Sequence, residues 1–176
     1  EHMAPYGKAG RSSIIALGHL GNWEWGASGA ERLLPHGIRL QGVYKKPTNP
    51  SLDAWLKRTR ARHGMGLVGM KEVDSFCDER TNADRDYRAS GKDRLTGEEP
   101  FALVLIADQS PSNPRRSVWT EFMGRETSVF YGPERLARKF DLPVFYFESV
   151  RTGRGRYTFT ISPLVMEPFA VEEGAI

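Results

Sequence analysis

A chain of 176 residues with 39% hydrophobic and 27% charged residues has enough apolar material for one domain with a real core, which excludes a disordered polymer. The formal charge of +3 and the pI near 9.1 are compatible with anionic lipid, an acidic carrier protein or nucleic acid, and select none of them. No stretch approaches the ~20 apolar residues that span a bilayer, and the single cysteine, Cys77, excludes an internal disulfide framework or a cysteine zinc cluster.

Glu1-His2-Met3 reads as a cloning remnant, leaving 4–176 as the domain. The first clear element is a short buried strand at 14–17, bounded by Gly18 and Gly21, where the chain turns. Asn22 is the expected N-cap of an amphipathic helix running to residue 34, with Trp23 and Glu24 in its first turn, and Pro35-His36-Gly37 ends it. His19 and Glu24 are five apart and would point roughly 140° from each other on a continuous helix. A strand ending at His19 and a helix beginning at Asn22 instead allow the turn to bring imidazole and carboxylate together. That pair would make a general base at the C-terminal edge of a sheet. The alternative is a strand-end histidine satisfied by backbone, with Glu24 complementing the helix dipole.

A second strand follows at 38–44, ending in Lys45-Lys46-Pro47, so a βαβ unit with parallel pairing is expected. Asn49-Pro50-Ser51 opens a helix with Leu52, Trp55 and Leu56 inward and Lys57, Arg58, Arg60 and Arg62 outward, closed by Gly64. A third strand at 65–70, a charged helix at 71–87 and a loop at 89–100 come next. The run 101–107 is apolar on both faces and therefore central in the sheet, and Asp108-Gln109 stand at its C-terminal end. There Asp108 is either a functional-edge carboxylate or a loop cap. After a loop at 110–116, residues 118–123 alternate, 128–140 read as a helix, and 142–147 as a buried strand. Residues 157–161 pair back through a turn at 152–155. The result is an α/β fold: one domain, with a mixed, mostly parallel sheet flanked by helices.

No phosphate-binding glycine loop, His-Glu-x-x-His pattern or Gly-x-Ser-x-Gly elbow is present, so nucleotide cradling, metal chemistry and a serine hydrolase are unsupported, and no metal is expected. Aromatic residues do not interleave with the basic ones, which leaves nucleic-acid binding as a charge argument only.

Gly18-His19-Leu20-Gly21-Asn22-Trp23-Glu24 resembles the His-x4-Glu signature, in its His-x-x-Asn-Trp-Glu form, of the bacterial lipid A biosynthesis acyltransferases, the late Kdo-lipid A lauroyl/myristoyl transferases. Val43-Tyr44-Lys45-Lys46-Pro47-Thr48-Asn49-Pro50, Ala107-Asp108-Gln109, Phe122-Met123-Gly124 and the helix from Gly132 to Ala137 are similar to further segments of that family, in the same order. The resemblance implies a glycerolipid-acyltransferase-like fold. It also implies transfer of a fatty acyl chain from an acyl carrier protein thioester to a hydroxyl of a lipid A precursor, at the cytoplasmic face of the bacterial inner membrane. His19 would deprotonate the acceptor while Glu24 holds its ring. Asn22, Lys45, Asp108 and Gln109 would bind substrate or the developing oxyanion, with no cofactor beyond the acyl donor. The implied partners are acyl carrier protein, a lipid acceptor and the membrane surface, without nucleic acid. Lys45 stands where the family often has arginine, and a point charge replaces a bidentate fork. The family's N-terminal hydrophobic anchor and C-terminal His-Arg-Arg segment find no match, so the chain is expected to be a fragment lacking both. The alternatives are another glycolipid or phospholipid acceptor, or a non-catalytic module docking anionic lipid or an acidic carrier through Lys45, Lys46 and the 57–62 cluster.

Overall fold

The run Phe101–Ile106 forms β4, and its alternating side chains enter two different cores. Phe101, Leu103 and Leu105 face one side; Ala102, Val104 and Ile106 face the other. In the computed structural model, which describes residues 3–29, 37–90, 99–111, 117–172 and 174, this strand lies inside a six-stranded sheet. The other strands are β1 (Ser13–Leu17), β2 (Arg39–Tyr44), β3 (Met65–Gly69), β7 (Val144–Gly153) and β8 (Arg156–Val165), in the order β3-β2-β4-β1-β7-β8. All neighbours are parallel except β7 and β8, which form an antiparallel pair at one edge. The expected α/β architecture is thus present. The first two strands are not neighbours, however: β4 lies between them, with Ile14 beside Leu103 and Leu40 beside Ala102. A strand apolar on both faces is most stable between two partners, and periodicity along the chain carries no information about which partners those are.

Helices cover both faces. On one, α4 (Val73–Ser90) and α5 (Gly132–Phe140) bury Val73, Cys77, Leu136, Ala137 and Phe140 against Ile14, Leu103 and Val144. Each such aliphatic side chain taken fully from water contributes ~1.5–3 kcal/mol. The two helices are tied by Asp74, which accepts two 2.7 Å bonds from Arg135 and one of 3.0 Å from Lys139. On the other face, α1 (Ala4–Lys8), α2 (Trp23–Ser28) and α3 (Pro50–Ala61) surround a second core of Ile15, Leu17, Leu40, Met65, Ala102 and Phe145. Asn49 caps α3, its side-chain oxygen accepting from the N–H groups of Ser51 and Leu52, and Pro50 opens the first turn.

Three local expectations are corrected. Residues 128–130 belong to β6 (Arg125–Phe130), which pairs with β5 (Ser117–Phe122) in a separate hairpin. The helix waits for Gly132-Pro133, where proline has a favoured first-turn position. In α3 the buried residue is Asp53, not Leu52 or Trp55, which are 46% and 51% exposed. Asn22 precedes α2 without capping it through its side chain; its N–H donates to Ser149 Oγ instead. The remainder of the helix expected to reach residue 34, its terminator at 35–36, and most of the loops at 89–100 and 110–116 lie outside the described residues. Among the described residues, no helix is long and apolar enough to cross a membrane.

Candidate active site

Because β2, β3, β4, β1 and β7 run parallel, the ends of β1, β2 and β4 open on one edge of the sheet. His19 follows β1, Lys45 follows β2 and Asp108 follows β4, so three of the expected residues share that edge. The β1–β4 ladder continues one step further, Ala107 donating its N–H to the Leu17 carbonyl at 3.0 Å, and this sets Asp108 beside the turn that carries His19. One carboxylate oxygen accepts the His19 backbone N–H at 2.7 Å, and the other lies 2.7 Å from the ring Nδ1. Asp108 therefore caps the turn and reaches the His19 ring at once. Burial works to raise its pKa, but the backbone and ring hydrogen bonds from His19 outweigh it and hold the carboxyl below the ordinary range. In the tautomer that carries its proton on Nδ1, the ring donates a hydrogen bond to the Asp108 carboxylate and leaves the Nε2 lone pair free to act as a base.

Two glycines make this turn possible. A Cβ on Gly18 would lie 3.1 Å from an Asp108 carboxylate oxygen, so only a bare backbone lets the acid approach without giving way. Gly21 has a φ of +59°, and a Cβ there would collide with the Ser149 carbonyl of β7. The His19 ring then meets Trp23 edge-on, centroids 5.5 Å apart.

Glu24 occupies a different place from the one expected of it. Its carboxylate accepts a 2.8 Å bond from Arg60 of α3, whose guanidinium also lies over the Trp23 ring at 5.9 Å. Here Asp108 holds the His19 ring and Arg60 holds Glu24. Arg60 had been expected on a solvated face. Its helix does put Lys57 and Arg58 outward, but the partner that draws Arg60 inward is 36 residues away, beyond any signal within the helix. Lys45 and Gln109 are exposed on the same edge. Behind Lys45, the Tyr44 hydroxyl donates to buried Asp53, and Lys57 lies 3.1 Å from the same carboxylate. This fastens the end of β2 to the start of α3. The bond from Tyr44, helped by Lys57, holds Asp53 below the ordinary carboxylate range; burial, with the bond to Asp53, raises Tyr44.

Beside His19, Trp23 forms one wall of a narrow apolar cleft, about 50 Å³ in free volume, between α2 and the sheet. Ile15, Leu17, Leu40, Val104 and Phe147 continue its lining. Cys77 takes no part: it is fully buried on the opposite face, and burial together with the charges of Asp74 and Asp78 pushes its thiol up to about 12. Among the described residues, no three His, Cys, Asp or Glu side chains gather as a metal-binding set.

An imidazole held through Nδ1 by a carboxylate, at the edge of a parallel sheet and in contact with a wall of an apolar slot, suits proton abstraction from a hydroxyl near a hydrocarbon chain. No curated protein matches the sequence. The family model described as bacterial lipid A biosynthesis acyltransferase matches residues 1–170. The ordered motifs around His19, Lys45 and Asp108 thus sit within that match, and the chain belongs to the bacterial lipid A biosynthesis acyltransferase family.

Proposed function

We propose that this acyltransferase moves a fatty acyl chain from an acyl carrier protein thioester to a hydroxyl of a lipid A precursor, with His19 as general base. The observation that carries the reading is the His19–Asp108 pair, whose imidazole meets Trp23, a wall of the apolar cleft. Nε2 takes the acceptor's proton as its oxygen attacks the thioester carbonyl carbon. The tetrahedral intermediate then collapses with cleavage of the C–S bond, and the imidazolium returns its proton to the leaving thiolate. No acyl-enzyme is needed. Donors aimed at the carbonyl oxygen are worth ~3 kcal/mol each; Lys45 is the candidate for that oxygen or for a substrate phosphate, and Asn22 and Gln109 are further candidates for binding substrate. The acyl chain would lie along Trp23 and Leu17 in the cleft. The family acts in association with bacterial membranes, and the inner membrane's cytoplasmic face, where acyl carrier protein is found, is the proposed place of work.

Asp108 is a positioning residue in this scheme, and Glu24 acts through Arg60 and the Trp23 wall. The test is transfer from radiolabelled acyl carrier protein thioester to a lipid A precursor. His19→Ala should lower the rate ~10²–10⁴-fold and Asp108→Asn about 10²-fold, the usual range for losing a positioned base. Glu24→Ala and Arg60→Ala should each lower it, and the double variant should cost no more than the worse single one, because the pair acts as a unit. Full activity in His19→Ala, with its fold intact by circular dichroism, overturns the mechanism. Coupling of Glu24 to His19 instead of Arg60 would return the ring-holding role to Glu24.

A further inference from the structure

The apolar cleft ends against a second one. Between α2 and α3 lies a wider space of about 310 Å³, lined by Trp55, Leu56, Thr59 and His63 among others. Ala27, Arg60 and Met65 border both clefts. Arg60 is fixed by Glu24 and Trp23, and Ala27 is short, which leaves Met65 as the part of the partition able to move. Met65 is 4% exposed at the start of β3, and its terminal methyl fills the place that a Cβ on Gly42 of β2 would take. Glycine in a strand interior weakens the strand; here its bareness gives the methionine a bed across the sheet. Three side-chain torsions and a polarisable thioether make methionine the apolar residue most able to fill a gap and then vacate it.

We propose that Met65, bedded on Gly42, is the end wall of the acyl cleft and sets the chain length this enzyme accepts. The inference rests on the reading of the cleft as the acyl site. A chain that stops short of Met65 leaves unfilled space, and one that is longer must displace the side chain toward the space between α2 and α3, where Trp55 and Leu56 offer apolar surface. Removing the wall joins the two clefts and should admit longer chains. Crowding Met65 from beneath should favour shorter ones.

The experiment measures transfer rates for a series of saturated acyl carrier protein thioesters differing by two carbons. In parallel, displacement of a fluorescent fatty acid by the matching free fatty acids reads occupancy of the cleft without any reaction. Met65→Ala should raise the rate ratio of the longer donors to the wild-type optimum by about tenfold or more, the scale on which apolar pockets discriminate methylenes. Gly42→Ala should move the optimum the other way, and Met65→Leu, close in volume, should keep it. An unchanged chain-length profile in folded Met65→Ala, in transfer and displacement alike, overturns the proposal. If Met65→Ala does not fold, an unshifted profile in Gly42→Ala does so. Wild-type protein that transfers no acyl chain, yet binds fatty acids with a length preference that Met65→Ala shifts, would sink the reaction and leave the wall standing.

Discussion

Gly21 shows how much of the site depends on one missing methyl group. Its φ of +59° costs any other residue ~1–2 kcal/mol, and its Cβ would also strike the Ser149 carbonyl, an overpacking cost of ~1–3 kcal/mol. Gly21→Ala should therefore destabilise by about 3 kcal/mol, roughly a 10 °C fall in melting temperature for a chain of this size. Gly155 has a similar φ of +67° but open space around it, so Gly155→Ala should cost only the backbone strain. Melting curves of the two variants check the contrast; equal losses would show that the approach to Ser149 carries no weight. At the same scale His19 and Glu24 were legible as a pair of chemical groups, and Asp108 as a carboxylate on the functional edge. Their pairing was not: His19 and Asp108 are 89 residues apart and Glu24 and Arg60 are 36 apart, and hydrogen bonds at such separations depend on strand order.

Between elements, the contact between α4 and α5 is held by charge as well as by packing. Arg135, the largest cause, and Lys139 hold Asp74 far below the ordinary carboxylate range against a smaller opposing effect of burial. A carboxylate with a depressed native pKa stabilises the fold above its unfolded value near 4, and that contribution is lost as pH falls toward the native value. Both side chains are more than a third exposed, at 38% and 40%, so solvent screening limits the bidentate pair to ~1 kcal/mol at neutral pH. Asp74→Asn should lower the stability measured by urea unfolding at pH 7 by that amount, and the gap to the unaltered protein should close steadily below about pH 4. A gap that stayed constant from about pH 5 down to about pH 2.5 would mean that the loss comes from packing. The β5–β6 hairpin shows the opposite regime, with Trp119, Phe122 and Met123 exposed and strands paired only with each other. Its start is legible from alternation, but 128–130, the end of its second strand, runs in sequence straight into the helix at Gly132, and only antiparallel pairing with 117–122 assigns those residues to the strand.

Across the whole molecule, stability should follow the layering. β1 and β4 are bonded on both sides and buried on both faces, whereas an isolated two-stranded ribbon is marginal in water. Native-state hydrogen exchange should find the slowest amides in 13–17 and 101–106 and the fastest strand amides in 117–130; protection of the hairpin equal to that of β1 would contradict this ordering. The alternation of apolar side chains, the strand ends marked by His19, Lys45 and Asp108, and the ordered motifs were all present in the sequence, because periodicity, turn chemistry and local spacing act within a few residues. They determined the α/β class, the edge on which the site lies and the family. Insertion of β4 between β1 and β2, the carboxylate that orients His19, the arginine that holds Glu24, and the partition of two clefts by Met65 were decided only by the tertiary structure. Each is a contact between segments far apart in the chain, fixed by which faces and edges pack together in the fold.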